Sequence, residues 1–196
     1  MPLTLLGTQR DSWHGLRLYA DEDEDADFSV LWLEKVRRAL ALIEQTAPQT
    51  AARVRRDVRL ISVSGIWGPD YEDVLRAIRL HGPALLWQDS TQVALTIVHE
   101  AMHARIARRG IPYADDQRER HERAATAAEV RFAKKLPGGE ELVGPVLQKL
   151  ETPWWTDEAL AERRLREFDL LKWHGRLARF FRRRIAADLA RKRGAV

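Results

Sequence analysis

Three ionisable residues within one short stretch, Thr96-Ile97-Val98-His99-Glu100-Ala101-Met102-His103-Ala104, have the types and spacing to do chemistry. The pattern is H-E-x-x-H. On a helix, residues four apart lie one above the other, so His99 and His103 project from the same face. Two imidazoles so placed bind one Zn²⁺ at about 2.0–2.1 Å each. Glu100 is about 100° round the helix from His99. There it can take a proton from water at the metal, so it reads as a general base and not as a ligand. The residues between and beside the three are uncharged, which suits a half-buried helix whose histidines face a cavity; Arg105 is the exception. The plain alternative is a pair of ordinary histidines on an amphipathic helix.

Two histidines do not complete such a site, because catalytic zinc generally has three protein ligands and an open position. The H-x-x-G-x-x-H continuation is absent, with Ile106 and Arg109 at its Gly and second His positions, which excludes the metzincin class. The third ligand is therefore expected on the next helix, roughly Asp116 to Lys135. That helix offers His121, Glu122 and Glu129, with Glu119 on its first turn. Glu122 lies nineteen residues past His103, enough chain to end one helix, turn at Gly110-Ile111-Pro112 and send a second helix back past the metal. Glu129 is seven residues further on, close to the same helical face, and stands as the alternative third ligand. A glutamate on a helix is more often a solvated charge than a ligand.

From about Ala77 to Pro137 the chain resembles the gluzincin metallopeptidases, whose zinc is held by the two motif histidines and a glutamate on a following helix. The run Glu122-Arg123-Ala124-Ala125, continuing to Glu129-Val130-Arg131-Phe132-Ala133 and Leu136-Pro137, looks like the E-x-x-A…F-A…L-P helix of small gluzincin-like domains. The resemblance implies His99, His103 and Glu122 as zinc ligands, Glu100 as the base, and a peptide or protein substrate. It also implies an edge strand near the zinc that aligns an extended peptide by main-chain hydrogen bonds. Many members carry Asp four residues after the ligand glutamate, where it orients a histidine. Thr126 stands at that position here, a departure from the pattern.

Length and composition set the frame. A chain of 196 residues suits one domain with an appendage, and 45% hydrophobic residues suffice for a core. The absence of cysteine excludes a disulfide framework and thiolate zinc sites, leaving histidine and carboxylate as strong ligands. Met1-Pro2-Leu3-Thr4-Leu5-Leu6-Gly7 has no basic segment and too short an apolar run for a signal peptide, and no stretch is long enough to span a bilayer. A cytoplasmic location is expected. Charge is uneven: residues 163–193 hold twelve Arg or Lys against three acids, so in a chain of net charge +4 the remainder carries −5. Asp21-Glu22-Asp23-Glu24-Asp25 is a compact acidic run. Such asymmetry marks surfaces for a partner, above all an acidic partner for the basic end.

Several elements must position the motif. Residues 8–14 read as a loop and Gly15 to Ala20 as a strand. Val30 to Glu44 reads as a helix, Ala51 to Arg56 as a short helical piece, and Val58 to Val63 as a strand. Gly65 to Tyr71 is loop chemistry, with Trp67 and Tyr71 placed to fill the core or line a rim. Ala77 to His81 reads as a strand and Ala84 to Trp87 as another extended piece. Asp89 or Ser90 caps the motif helix, expected over Thr91 to Arg109, with Gly110 at its C-cap and Pro112 beyond. Tyr113, nine residues before Glu122, lies near the metal if the two helices pair, where its hydroxyl can hydrogen-bond an oxyanion. A loop tyrosine packed on the surface is the simple alternative, and His81, His121 and His174 are further candidates for that role. A helix over Glu140 to Lys149 and an aromatic junction at Trp154-Trp155 follow. Thr156 then caps a long basic amphipathic helix reaching to Lys192.

The expectation is thus an α+β fold, mostly helical, with a small mixed sheet of two to four strands. A zincin-like domain would occupy residues 1–150 and a basic helical extension 151–196, packed on it or projecting. The expected function is a zinc-dependent peptidase with Glu100 as base and Tyr113 as oxyanion donor. The alternative is a catalytically inactive zincin-like module. It would act through its basic helix on a protein, nucleic acid or membrane surface.

Overall fold

The computed structural model describes residues 8–21, 26–64, 69–114 and 116–151, together with 156, 159 and 162. It opens on a β-hairpin, β1 (Thr8–Trp13) and β2 (Leu16–Asp21). Its two-residue turn has His14 at φ 45° and Gly15 at φ 84°. Two successive positive φ values match the right-handed twist of the flanking strands. The loop expected over residues 8–14 is therefore corrected to an edge strand. Among the described residues β1 pairs only with β2, and its residues are polar apart from Trp13.

Helix α1 (Ala26–Thr46) and helix α2 (Pro48–Asp57) lead to strand β3 (Leu60–Ser64). Pro48 ends the expected α1 pattern and also starts α2, where its missing N–H costs nothing. Strands β4 (Asp70–Glu72) and β5 (Ala77–His81) complete a five-stranded mixed sheet, larger than expected, in the order β1-β2-β3-β5-β4. The inner strands β2, β3 and β5 are parallel, and the edge strands β1 and β4 are antiparallel to their neighbours. Leu18, Ile61 and Ile78 pair across the inner strands, as do Ala20, Val63 and Leu80, and all six are buried. Burying each large one contributes about 1.5–3 kcal/mol. The opposite side of these strands carries Arg17, Tyr19, Ser62 and Arg79, which are exposed or half-buried.

The piece Ala84 to Trp87, read from sequence as extended, is helix α3 (Gly82–Trp87). Its C-terminal carbonyls are satisfied by Lys35 of α1, whose Nζ donates to the oxygens of Leu85, Leu86 and Gln88. The close approach of α1 to α3 needs Gly82, where a Cβ would lie 2.5 Å from the buried Trp32 ring. Helices α4 (Ser90–Ala107), α5 (Arg118–Ala133) and α6 (Glu140–Gln148) follow. The fold is thus α+β and mostly helical. Arg108, at the end of α4, donates to the Arg56 carbonyl and the buried Asp57 carboxylate, and Arg76 donates to the carbonyls of Arg56 and Asp57. These contacts tie the ends of α2 and α4 together. Among the described residues no helix is long and apolar enough to cross a membrane. Thr156 accepts from the Ala159 backbone N–H at 3.3 Å, as a capping residue does. The basic helix expected beyond it, with His174, lies outside the described residues, as does Trp67.

Candidate metal centre

Helix α4 is placed by its start and by its surroundings. The Asp89 side chain accepts from Gln92 N at 2.8 Å, while the Gln92 side chain accepts from Asp89 N at 3.1 Å, a reciprocal capping box. Val93, Ala94, Leu95, Ile97 and Val98 are all buried and cover more than half of the helix circumference, so α4 lies deep against the core with His99, Glu100 and His103 on its remaining face. It packs against α1, α2, α5, β4 and β5. Gly110, at φ 72°, closes it in the left-handed conformation that glycine adopts without steric cost. The chain then returns as α5 alongside α4.

This pairing brings His99, His103 and Glu122 together, with one donor atom from each within 4.8 Å of the others. His99 Nε2 lies 3.2 Å from Glu122 Oε2, and His103 Nε2 lies 3.4 Å from Glu122 Oε1. Donor atoms around one tetrahedral ion at about 2.0–2.2 Å lie roughly 3.3–3.6 Å apart. These two distances run to different oxygens of Glu122, and the nitrogen, nitrogen and oxygen donors match a metal ion in type and lie close enough to converge on one. Relative exposure is 5% for His99, 9% for His103, 1% for Glu122 and 5% for Glu100. Buried charge at this density calls for pairing or a metal.

Electrostatics follow from that burial. Burial works against a charged His99, but the hydrogen bonds to Glu122 and Glu129 outweigh it and lift the imidazole to about 10. Burial likewise opposes an ionised Glu122, yet hydrogen bonds with His103 and His99 hold it well below the usual carboxylate range. Glu100 is raised by burial. The His103 and His99 rings offset part of this, and the negative charges of Glu122 and Asp70 add to it. A raised carboxylate is better matched to taking up a proton near neutral pH.

The remaining sequence candidates fall in different places. Tyr113 is at the site, its hydroxyl donating to Glu122 Oε1 at 2.6 Å and its ring edge-on to His103. That bond and burial raise the phenol above its ordinary value, burial contributing more. His121 packs its ring on His103 and Tyr113, is lowered by burial and by the charge of His103, and does not join the three donors. Glu119 is exposed and pairs with Arg123 one turn on. His81 ends β5 opposite Ser64 and is outside the cluster.

Glu129, the alternative third ligand, also lies outside the cluster. Its Oε2 is 3.2 Å from His99 Nδ1, on the far side of the ring from Glu122. The reason is helical rise: seven residues keep the same face but move about 10.5 Å along the axis. Thr126, where the resembled family has an acid, is buried between the two glutamates in sequence and supplies no carboxylate. Lys149 is a site neighbour that sequence reasoning missed, donating to Glu129 Oε1 from the C-cap of α6. Nothing in the spacing of a lysine twenty residues away signals that contact.

No protein-family model matches the chain, and no curated protein or solved structure does either.

Proposed function

We propose that the protein is a zinc-dependent peptidase whose ligands are His99, His103 and Glu122. The observation that carries this reading is the convergence of three buried donors, two imidazole nitrogens and a carboxylate oxygen, within 4.8 Å of one another. Zinc bound there supplies Lewis acidity, lowering the pKa of a water towards ~7 and polarising a carbonyl. Glu100 accepts a proton from the attacking water as its oxygen bonds to the scissile carbonyl carbon. The same carboxyl then delivers that proton to the amine as the C–N bond breaks. Burial, which favours the protonated form of Glu100, suits the half of the cycle in which it holds the proton.

A rail for an extended substrate is available at β4. It is the edge of the sheet next to α4, with no described strand on its outer side. An extended peptide adding to that edge would gain main-chain hydrogen bonds beside Glu100.

A second reading has its own support. The near-complete burial of His99, Glu100 and Glu122 also suits a metal-stabilised module that binds a partner without hydrolysis. Two measurements separate the readings. The first is zinc per chain in protein purified without added metal, with His99→Ala, His103→Ala and Glu122→Gln beside the wild type. One zinc in the wild type and loss of it in each variant is expected. The second is peptide cleavage by Glu100→Gln, which should retain zinc and lose turnover. Wild-type cleavage in that variant would exclude Glu100 as the base. Zinc without cleavage of any peptide by the wild type would favour the binding module.

A further inference from the structure

Two neighbouring imidazoles in this centre are supported very differently. His103 Nδ1 is buried and has no hydrogen-bond partner among the described residues. His99 Nδ1 faces a carboxylate that is itself fully buried, Glu129, at 3.2 Å. The other oxygen of Glu129 accepts from Lys149, whose side chain is 44% exposed and stands at the C-cap of α6. The His99 ring is thus held between two glutamates of α5, Nε2 towards Glu122 and Nδ1 towards Glu129. Both oxygens of Glu129 are engaged, one on the ring and one on the ammonium.

We propose that Glu129 and Lys149 are the positioning pair of the metal centre: Glu129 fixes the His99 ring with its proton on Nδ1 and its Nε2 lone pair towards the metal, and Lys149 holds Glu129 in place from α6. This rests on the reading of His99, His103 and Glu122 as metal ligands. A carboxylate behind a ligating imidazole sets ring orientation and raises ligand basicity. A buried carboxylate with no cation or N–H partner is costly, and Lys149 supplies that partner to Glu129, which has no solvent exposure. The role filled in the resembled family by an acid one turn after the ligand glutamate is taken here by a glutamate two turns after it. The longer reach is anchored by a helix outside the ligand-bearing pair. His99 is consequently the ligand oriented through its Nδ1, whereas the His103 ring is oriented by packing against Tyr113 and His121.

The test uses the full-length chain, stripped of metal and titrated with Zn²⁺ against a chromophoric chelator, and separately with Co²⁺ while its visible absorption is recorded. Glu129→Gln is expected to weaken zinc binding by about 10- to 100-fold. It should also alter the Co²⁺ ligand-field bands, because the His99 ring is no longer fixed. Lys149→Met should shift both readouts in the same direction, and Lys149→Arg, which restores a cationic donor, should return both towards the wild type. Because Lys149 is partly exposed, its variants are expected to fold and decide the matter even where Glu129→Gln does not. Zinc affinity and Co²⁺ bands unchanged in Lys149→Met and Glu129→Gln, in a wild type that does bind metal, would overturn the positioning pair and leave the metal centre standing. A wild type that binds neither ion would overturn both.

Discussion

At the scale of single residues, the site is a competition for Glu122. Its Oε2 faces His99, and its Oε1 faces His103 and accepts from the Tyr113 hydroxyl. A ligand carboxylate whose second oxygen is held by a neighbouring donor keeps a fixed orientation. Tyr113 is therefore placed to hold Glu122, besides the oxyanion role expected of it from sequence. Removing only the hydroxyl separates these roles. Tyr113→Phe is expected to weaken zinc binding by about tenfold, the lower end for loss of a group that orients a ligand. Chelator competition measures this directly. Unchanged zinc affinity together with a turnover loss of about 10²-fold at saturating metal would move Tyr113 to oxyanion stabilisation alone. The residues of the motif could be read from sequence because their chemistry is local: an i, i+4 pair of histidines and its adjacent glutamate need only a helix. The place of Glu129 could not be read. Residues 122 and 129 share a face, and only the position of the His99 ring along the α5 axis decides which carboxylate meets which nitrogen.

At the scale of elements, the turn from α5 to α6 determines whether Lys149 reaches Glu129. Gly139 sits in that turn with no room for a side chain: a Cβ would fall 1.8 Å from the Ala133 carbonyl oxygen, which is fixed backbone at the end of α5. Gly139→Ala must open the turn. A cost of about 2 kcal/mol is typical for forcing an extra carbon into a packed site. In a domain of this size that lowers the melting temperature by roughly 4–8 °C. The variant should also bind zinc more weakly, as Lys149→Met does, because α6 has moved from Glu129. Wild-type melting and zinc affinity in the Gly139→Ala variant would show that α6 docks independently of this turn. Elements with strong internal signals were legible. The α4 helix has a cap, an apolar body and a glycine stop, and β5 was placed residue for residue. Elements defined by their neighbours were not. Strand β1 is polar and exists through pairing with β2, while α3 is four apolar residues after Gly-Pro, a pattern that suits strand or helix until Lys35 caps its carbonyls.

At the scale of the whole molecule, the metal-free fold and the proposed zinc-loaded fold respond to pH differently, and the difference follows from His99. Its folded value is raised to about 10, above about 6.5 in an unfolded chain. The proton on His99 therefore stabilises the metal-free fold fully below pH ~6.5, and that stabilisation is lost as pH rises towards 10. Glu122, held low, contributes above its unfolded value near 4.3 and loses its contribution as pH falls further. Zinc at the proposed site would have to displace the His99 proton, so at fixed free zinc its affinity is expected to rise by up to about tenfold per pH unit until about pH 10. Bound zinc stabilises the fold by RT ln(1 + [Zn]/Kd), about 2.7 kcal/mol at one hundred times Kd. Each pH unit then adds about 1.4 kcal/mol. For a chain of this length the melting temperature moves by about 2–4 °C per kcal/mol. The gap between zinc-loaded and chelator-treated protein should therefore widen by roughly 3–5 °C per unit between about pH 6 and 8, with free zinc held constant. His103→Ala should have no gap at any pH. A gap of constant size would mean that zinc displaces no proton on binding and that His99 is neutral before the ion arrives.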